Sequence, residues 1–285
     1  MQVGIMSGHI ARPTLEEALD AILAHDIRHI QFNWSSLGLK GKLNLAEKIA
    51  AGGTRVREET EKRNMSVVGV GGEANMVDPD PAMRQHAIDR LLALIPACES
   101  LGTSVIATCT GSRNPESMWR YHPDNESKEA WQDLRNTLEQ VLPVAEAAGV
   151  IIAFEPEYNN VCSSPRKSRQ IIDEMASPNL KVVLDAANIF GKDDLPRMKE
   201  VLDEAFEFLG DHIAFAHGKD LDHGGDAGHL AAGTGKLDYA HYVSLLCGLP
   251  FDVPVILHGL KEDQVDESVA MLRGHAVALE AGTKS

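Results

Sequence analysis

Residues 181–220 read KVVLDAANIFGKDDLPRMKEVLDEAFEFLGDHIAFAHGKD and predict one complete strand–helix–strand unit. The runs Lys181–Asp185 and Ile213–His217 are apolar on both faces, as expected of strands buried between a core and a layer of helices. Between them, the stretch Leu195–Leu209 carries apolar side chains at helical spacing. Such a unit is the building block of a parallel α/β fold.

The same alternation of short apolar runs and longer amphipathic stretches recurs in both directions along the chain. It predicts eight βα units, which match a single-domain (β/α)8 TIM barrel over residues 1–285, with a doubly wound open sheet as the alternative. The other predicted strands are Val3–Ser7, His29–Asn33, Ser66–Val70, Ser104–Thr108, Val150–Glu155 and Pro254–His258. The other predicted helices are one opening at a Thr14–Glu17 capping box, Ala46–Arg63, Pro81–Leu101, Ser127–Ala148, Ser164–Met175, Tyr239–Cys247 and Glu262–Leu272.

The composition excludes several classes of protein. The chain has 285 residues, of which 44% are hydrophobic, and it carries a formal net charge of −15. So many apolar residues argue against disorder, and the acidity argues against nucleic acid as a partner. The four cysteines form no CxxC pair, no apolar run approaches the length of a membrane span, and the N-terminus lacks the features of a signal peptide. We therefore expect a cytoplasmic protein with no membrane partner.

Four consecutive predicted strands end in side chains that can bind a metal ion. Glu155, Asp185, His217 and His258 each follow an apolar run directly. In a barrel these ends meet at one mouth, where the two carboxylates would repel each other without a cation. Taken alone, each residue has an ordinary interpretation, such as a helix cap or a surface imidazole. Together they predict a site for one divalent metal ion, with Mn²⁺, Zn²⁺, Co²⁺ and Fe²⁺ as candidates.

These strand ends resemble those of a known family. The segments AFEPE with Glu155, VVLDAAN with Asp185 and HGKD with His217, followed by GTGKLDY over Gly233–Tyr239, resemble in order and spacing the xylose isomerase-like barrel family, often called sugar phosphate isomerases and epimerases. The resemblance covers nearly the whole chain and extends more distantly to an abasic-site endonuclease branch. It implies a TIM barrel, a divalent ion held by the strand ends, a carbohydrate substrate and, by analogy, a homo-oligomer.

Three residues bear on how far this resemblance extends. Family members commonly have Glu at the end of the eighth strand, where this chain has His258, which puts a mechanism with two opposed carboxylates in doubt. His258 could bind the metal or act as a neutral acid or base. Asn188 stands where the nuclease branch has a zinc-binding His. His229 resembles that branch's His before the Gly-x-Gly and could face the substrate, bind metal as an outer ligand or be a loop residue.

The expected reaction is proton abstraction next to a carbonyl group. A divalent ion at the strand ends would polarise the carbonyl of a sugar, keto-sugar or sugar phosphate and stabilise an enediolate. Glu157, two residues beyond Glu155 on the same side of an extended chain, is the candidate base or else a solvated carboxylate. Lys219 could neutralise the enediolate or pair with Asp220. Further residues just past strand ends are candidates for substrate binding: His9, Trp34, Glu73, Asn160, Asn188 and His229.

The leading hypothesis is therefore a metal-dependent isomerase or epimerase that acts on a small-molecule carbohydrate. A metal-dependent lyase or dehydratase acting on a keto-sugar or inosose is the nearest alternative, because it uses the same intermediate. An abasic-site endonuclease is disfavoured by the net charge of −15, by Asn188 and by the lack of basic clusters. A non-catalytic sugar-binding barrel is the alternative from outside the enzymes.

Overall fold

The structure is a computed structural model that describes residues 1–38 and 43–282. The α-helices of this described part are α1 (Leu15–Ala24), α2 (Leu45–Lys62), α3 (Pro81–Leu101), α4 (Lys128–Ala148), α5 (Pro165–Met175), α6 (Met198–Leu209), α7 (Tyr239–Cys247) and α8 (Val265–Gly282). The strands are β1 (Val3–Met6), β2 (His29–Phe32), β3 (Ser66–Gly71), β4 (Val105–Cys109), β5 (Ile151–Glu155), β6 (Leu180–Asp185), β7 (Ile213–Asp220), β8 (Leu230–Ala231) and β9 (Val255–Leu257). Strands and helices alternate along almost the whole chain.

Eight of the strands close into a parallel barrel. β1 pairs with both β2 and β9, and β7 pairs with both β6 and β9, so that the ring runs β1-β2-β3-β4-β5-β6-β7-β9. The predicted (β/α)8 TIM barrel is therefore confirmed, and the doubly wound alternative is wrong. The remaining strand, β8, lies outside this ring and pairs antiparallel with the last two residues of β7.

A small apolar layer fills the inside of the barrel beneath its mouth. Ala107, Ala153, Val183, Phe215 and Ile256 form this cluster, each from a different strand. The ring of Phe215 needs the glycine at position 69, because a Cβ there would lie 3.0 Å from the Phe215 Cε1 atom. The helices pack against the outside of the barrel through a much larger apolar core. The layer supports the strand ends from below and gives the mouth a dry floor.

The predicted strands agree with the barrel strands to within a few residues. The largest difference is in β7, which continues to Asp220, three residues beyond the predicted end at His217, because β8 pairs with Lys219 and Asp220. The last helix also runs on to Gly282 instead of ending at Leu272. In the described part of the chain, every helix is too short or too polar to cross a bilayer.

Candidate active site

Four ligand-type side chains come together at the mouth of the barrel. Glu155 and Asp185 end β5 and β6, His217 lies within β7, and His258 directly follows β9. One donor atom each from Asp185, His217 and His258 lies within 4.8 Å of the other two. His217 Nδ1 lies 3.4 Å from Glu155 Oε2 and 3.5 Å from Asp185 Oδ2. The side chains of Asp185 and His217 are almost completely buried. The four strand-end residues predicted from the sequence thus share one mouth.

Unsatisfied polar atoms are concentrated at this mouth. Within the described residues, six buried side-chain nitrogen or oxygen atoms have no hydrogen-bond partner, and four of the six are Glu157 Oε1, Asp185 Oδ2, His217 Nδ1 and His258 Nδ1. A buried polar atom without a partner carries a full desolvation cost, so folded proteins rarely leave several of them side by side. Ion pairs with neighbouring charges compensate Asp185 Oδ2 and His217 Nδ1 in part, whereas Glu157 Oε1 and His258 Nδ1 have no such contact with any described residue. The cluster is therefore suited to a bound group that satisfies these atoms.

The imidazole of His217 is oriented by Gln31, a buried residue of β2. His217 Nε2 donates a hydrogen bond of 2.8 Å to Gln31 Oε1, which leaves Nδ1 facing the two carboxylates. Burial lowers the pKa of His217, but Glu155 and Asp185 outweigh burial and raise that pKa to about 9. In the metal-free protein, the Nδ1 atom of His217 therefore carries a proton that points towards the two carboxylates. A metal ion would displace that proton while Gln31 keeps the Nε2 proton in place.

His258 lies against this cluster as a neutral imidazole. Its ring centroid is 5.0 Å from that of His217 and 5.5 Å from that of His9. Burial, followed by repulsion from His217 and Lys219, lowers the pKa of His258 well below its ordinary value. A neutral imidazole whose buried Nδ1 has no partner is in the form that binds a metal ion. The His that replaces the family's Glu can therefore still serve as a ligand.

Lys219 pairs with Asp185 across the mouth. Its Nζ atom lies 3.1 Å from Asp185 Oδ2. Burial lowers the pKa of Lys219, but Asp185 and Glu155 outweigh it and raise that pKa, so the amine keeps its proton. Burial likewise raises the pKa of Asp185, but Lys219 and His217 outweigh it and hold that pKa below its ordinary value. The alternative pairing of Lys219 with Asp220 is wrong, because the Asp220 carboxylate binds four backbone amides instead.

Glu157 is a buried carboxyl group beside the ligand cluster. Only 3% of the residue is exposed, and its Oε1 atom has no hydrogen-bond partner. Burial and then repulsion from Glu155 raise the pKa of Glu157 to about 8, although Lys219 opposes the shift. The solvated-carboxylate interpretation of this residue is therefore wrong. A carboxyl group that titrates near neutral pH has the protonation behaviour of a general acid or base.

A cavity of about 590 Å³ opens directly above these residues. Its wall includes Glu155, His217 and His258, while Asp185 lies buried behind them. Two of the residues predicted to bind substrate, Glu73 and Asn188, also line it. Burial raises the pKa of Glu73, which favours its neutral form. Asn188 donates a hydrogen bond to Glu155 Oε1 and accepts one of 2.9 Å from the Gly228 amide. Its side chain therefore holds Glu155 and the β7–α7 loop in position.

The other four residues predicted to bind substrate do not line the cavity. His9 lies behind His258, and its Nε2 accepts a hydrogen bond from the Gly259 amide at 3.2 Å. Trp34 is buried and donates to the Gly71 carbonyl, and Asn160 is buried between Gly111 and Met118. The exposed His229 lies beside His223 and Asp222 on the β7–α7 loop. A residue's position just after a strand was therefore not sufficient to predict that its side chain lines the cavity.

Several wall residues were not among the sequence predictions, and three of them carry large polar or aromatic side chains. Gln31 lies inside β2, Trp119 on the β4–α4 loop and Asp226 on the β7–α7 loop. Asn159 joins these loops, because its Nδ2 donates to Asp226 Oδ1 at 2.6 Å and to the Trp119 carbonyl at 3.3 Å. Gln31 could have been found from its place near the end of a strand. Trp119 and Asp226 lie within long loops, where sequence spacing says little about position.

The residues present fit a divalent metal ion. Two carboxylates and two imidazoles form a donor set typical of Mn²⁺, Zn²⁺, Co²⁺ or Fe²⁺. The unpartnered atoms of Asp185, His217 and His258 all belong to this donor set. We conclude that the four strand-end residues could hold one such ion.

Comparison with known proteins agrees with this architecture. Residues 19–275 match the sequence pattern of the family described as xylose isomerase-like TIM barrel. The chain belongs to this family. No curated protein shows significant sequence similarity to this xylose isomerase-like barrel.

Several solved structures share its fold. A D-tagatose 3-epimerase-like protein has a TM-score of 0.78 and 14% identity, covering 99% of this chain and 100% of that chain. The 3-keto-D-glucoside 4-epimerase from E. coli has a TM-score of 0.72 and 15% identity, covering 96% and 99%. The probable 3-DHS dehydratase AsbF from Bacillus anthracis has a TM-score of 0.73 and 13% identity, covering 96% and 99%. At these identities the similarity establishes the fold of this xylose isomerase-like barrel.

Proposed function

We propose that the protein is a metal-dependent isomerase or epimerase that acts on a carbohydrate carrying a carbonyl group. The observation that carries this proposal is the group of four buried polar atoms without a hydrogen-bond partner at the mouth of the barrel, one of which belongs to Glu157. The sugar epimerases among its structural neighbours support the same class of reaction. Its four cysteines are free thiols, which suits the reducing cytoplasm, and we propose that compartment as its location.

In this proposal Glu155, Asp185, His217 and His258 hold one divalent ion. When bound, the ion polarises the substrate carbonyl and makes the neighbouring C–H group more acidic. Gln31 fixes the ring of His217, and Asn188 fixes Glu155 through a hydrogen bond. The ligands therefore come from rigid strand ends, and two neighbouring amide side chains restrict their rotation.

Glu157 is the residue to which we assign the proton transfer. As a carboxylate it removes the proton next to the carbonyl group and generates an enediolate. Lys219 keeps its proton because Asp185 and Glu155 outweigh burial and raise its pKa, so its ammonium group donates to a substrate oxygen. Return of the proton to the neighbouring carbon gives isomerisation. Addition of a different proton, from solvent, to the opposite face of the original carbon gives epimerisation, and Glu157 then releases its proton to solvent.

One observation favours elimination as a second candidate reaction. His258 takes the place of the family's strand-end carboxylate, so the end of β9 supplies no second carboxyl group to act with Glu157 in a two-base epimerisation. A lyase or dehydratase needs one base for the C–H proton and one acid for the departing hydroxyl group. The dehydratase among the structural neighbours supports this alternative.

Exchange of solvent deuterium into a panel of ketoses and keto-sugars tests the proposal. The protein loaded with Mn²⁺ should incorporate deuterium next to the carbonyl group, and Glu157→Gln should slow the exchange by at least about a hundredfold. Asp252→Asn, an exposed carboxylate at the opposite end of the barrel, is the control and should exchange at the wild-type rate. An epimer or isomer among the products supports the first candidate, and an unsaturated product supports elimination. Absence of exchange across the panel would contradict both.

A further inference from the structure

The loops after the seventh and eighth barrel strands have a particular importance in this fold. In many (β/α)8 barrels their backbone amides, together with a helix N-terminus, bind the phosphate group of the substrate. The corresponding loops here follow β7 and β9. If the backbone amides of these loops have no partner within the protein, they can bind a substrate phosphate; if they are already bound, they cannot do so without breaking those bonds.

In the loop after β7, a carboxylate of the protein already occupies the amides. Asp220 Oδ2 accepts hydrogen bonds from Gly233 at 3.1 Å and from Gly235 at 2.9 Å. Asp220 Oδ1 accepts from Leu237 at 2.9 Å and from Leu221 at 2.8 Å. A Cβ at position 235 would lie 2.4 Å from Asp220 Oδ1, so the glycine lets the carboxylate sit deep in the loop. The glycine-rich GTG segment thus surrounds an internal anion.

The amides of the loop after β9 are also bound by groups of the protein. The Gly259 amide donates to His9 Nε2 at 3.2 Å, and the Lys261 amide donates to Gln264 Oε1 at 2.9 Å. The His258 amide donates to the Gly218 carbonyl at 3.1 Å. A phosphate group entering here would have to break these bonds before it could form its own.

Four carboxyl groups line the cavity wall, and burial favours the neutral forms of Glu73 and Glu157. Glu73, Glu155, Glu157 and Asp226 line it, and Lys219 is the only Lys or Arg among the described residues of the wall. Lys219 is nevertheless paired with Asp185 at 3.1 Å. The Asp226 carboxylate is held in place by Asn159, so a dianion would meet a fixed negative charge.

Two basic residues past strand ends are also engaged elsewhere. Arg12 forms an ion pair with Glu262, and Arg113 forms one with Asp133 at 2.6 Å. The wall offers instead the amide of Gln31, the carboxyl oxygens and the indole ring of Trp119, a residue that is 46% exposed to solvent. Acceptors and amides suit hydroxyl groups, and an indole face suits the C–H face of a sugar ring.

We infer that the substrate is an uncharged polyhydroxy carbonyl compound and not its phosphate ester. This inference rests on the proposed function, because it names the substrate class of the same site. Two sets of observations carry it. The backbone amides are already bound by Asp220, His9 and Gln264, and the cavity wall presents the Asp226 carboxylate while its Lys219 is paired with Asp185. Binding energy then comes from hydroxyl groups and ring faces.

Matched pairs of ligands test the inference. Unphosphorylated ketohexoses and the 6-phosphate of each are compared in the deuterium-exchange reaction with the Mn²⁺-loaded protein. We expect kcat/KM for exchange to be at least about a hundredfold higher for the neutral member of each pair. Equal or faster exchange with the phosphate esters would overturn the inference while leaving the proposed function standing.

Thermal stability provides a readout that does not depend on turnover. Neutral ketohexoses at millimolar concentration should raise the Tm of the metal-loaded protein, and their phosphate esters and inorganic phosphate should not. A Tm increase with the neutral sugars alone, combined with no deuterium exchange, would support the inference and contradict the proposed function. A larger shift with the phosphate esters, or no shift and no exchange with the neutral sugars, would overturn the inference.

The charge of Asp226 can be removed without changing its shape. Asp226→Asn keeps an oxygen that can accept from Asn159 and from the Ala227 amide, which are its partners now. The ratio of kcat/KM for the phosphate ester to that for the neutral sugar should rise by about tenfold, because one like charge is lost. Asp252→Asn should leave this ratio unchanged, and an unchanged ratio in Asp226→Asn would count against the inference.

Discussion

At the scale of single residues, the amide of Gln31 decides which nitrogen of His217 faces the ligand cluster. Replacing it with leucine removes the acceptor of the 2.8 Å hydrogen bond and lets the imidazole change tautomer or rotate. Mutation of a group that orients a metal-binding His commonly weakens metal affinity by about 10- to 100-fold. We therefore expect Gln31→Leu to weaken Mn²⁺ or Zn²⁺ binding by about 10- to 100-fold, as measured by competition with a chromophoric chelator.

The matched control for this change is Gln85→Leu, which makes the same substitution on the exposed face of α3. It should bind metal as the wild-type protein does. Equal affinities for Gln31→Leu and Gln85→Leu would show that His217 is oriented by its packing alone. In that case the hydrogen bond to Gln31 would have no part in metal binding.

The raised pKa of Glu157 makes the stability of the metal-free protein depend on pH. Burial and repulsion from Glu155 raise this pKa to about 8, from an ordinary value of 4.5. Between these values the unfolded chain has lost the proton and the folded protein keeps it, so stability is full below pH 4.5 and falls as the pH rises towards 8. Glu157→Gln should remove this part of the slope.

Urea unfolding in the presence of a chelator measures the effect. From pH 5 to pH 8 the wild-type protein should lose roughly 2–4 kcal/mol more unfolding free energy than Glu157→Gln does. The difference between the two proteins isolates this residue from other titrating groups. Parallel pH profiles would mean that Glu157 keeps an ordinary pKa in the folded protein.

Residue types alone predicted which strand-end side chains converge at the mouth of the barrel, but they missed several of the residues that line the cavity. Glu155, Asp185, His217 and His258 were found because each directly follows an apolar run, and the strands of a closed barrel converge at its mouth. Trp34 and Asn160 also follow strands, but their side chains turn away and bind backbone groups of neighbouring loops. Which way a loop residue points depends on tertiary contacts that a single sequence does not encode in its spacing.

At the scale of secondary-structure elements, apolar periodicity predicted every barrel strand and every α-helix in the described part of the chain. The runs are buried on both faces, so their pattern is strong and their ends fall where polar residues begin. The hairpin between β7 and β8 was missed because β8 is only two residues long and pairs with the charged residues Lys219 and Asp220. This gives no alternation of apolar and polar residues. Its position is set by Asp220, whose hydrogen bonds are made to residues distant in sequence.

Asp220 therefore has a structural role that can be tested on the whole loop. Asp220→Ala leaves the amides of Gly233, Gly235 and Leu237 without their acceptor. The expected loss of unfolding free energy is about 3 kcal/mol, because bonds to a buried carboxylate are lost together. Hydrogen exchange of these three amides should accelerate more than that of the barrel strands. Asp222→Ala, an exposed neighbour, is the control, and the same behaviour in both variants would contradict this role.

At the scale of the whole molecule, the proposed ligands come from β5, β6, β7 and the end of β9. A bound ion would therefore connect strands on one side of the closed ring and neutralise the repulsion between Glu155 and Asp185. Because the unfolded chain has no such site, binding adds to the stability of the folded barrel by mass action. Metal binding should also be tighter at higher pH, since the ion competes with the proton on His217.

Thermal unfolding tests this coupling between the ion and the barrel. At a hundredfold excess over its Kd, a divalent ion adds about 2.7 kcal/mol, which should raise the Tm by roughly 5 °C in a chain of this size. Asp185→Asn should abolish the shift, because it removes a buried carboxylate that faces both His217 and Lys219. Asp252→Asn should keep the full shift, since it lies at the other end of the barrel. If Mn²⁺, Zn²⁺, Co²⁺ and Fe²⁺ all leave the wild-type Tm unchanged, the strand ends do not bind a metal ion.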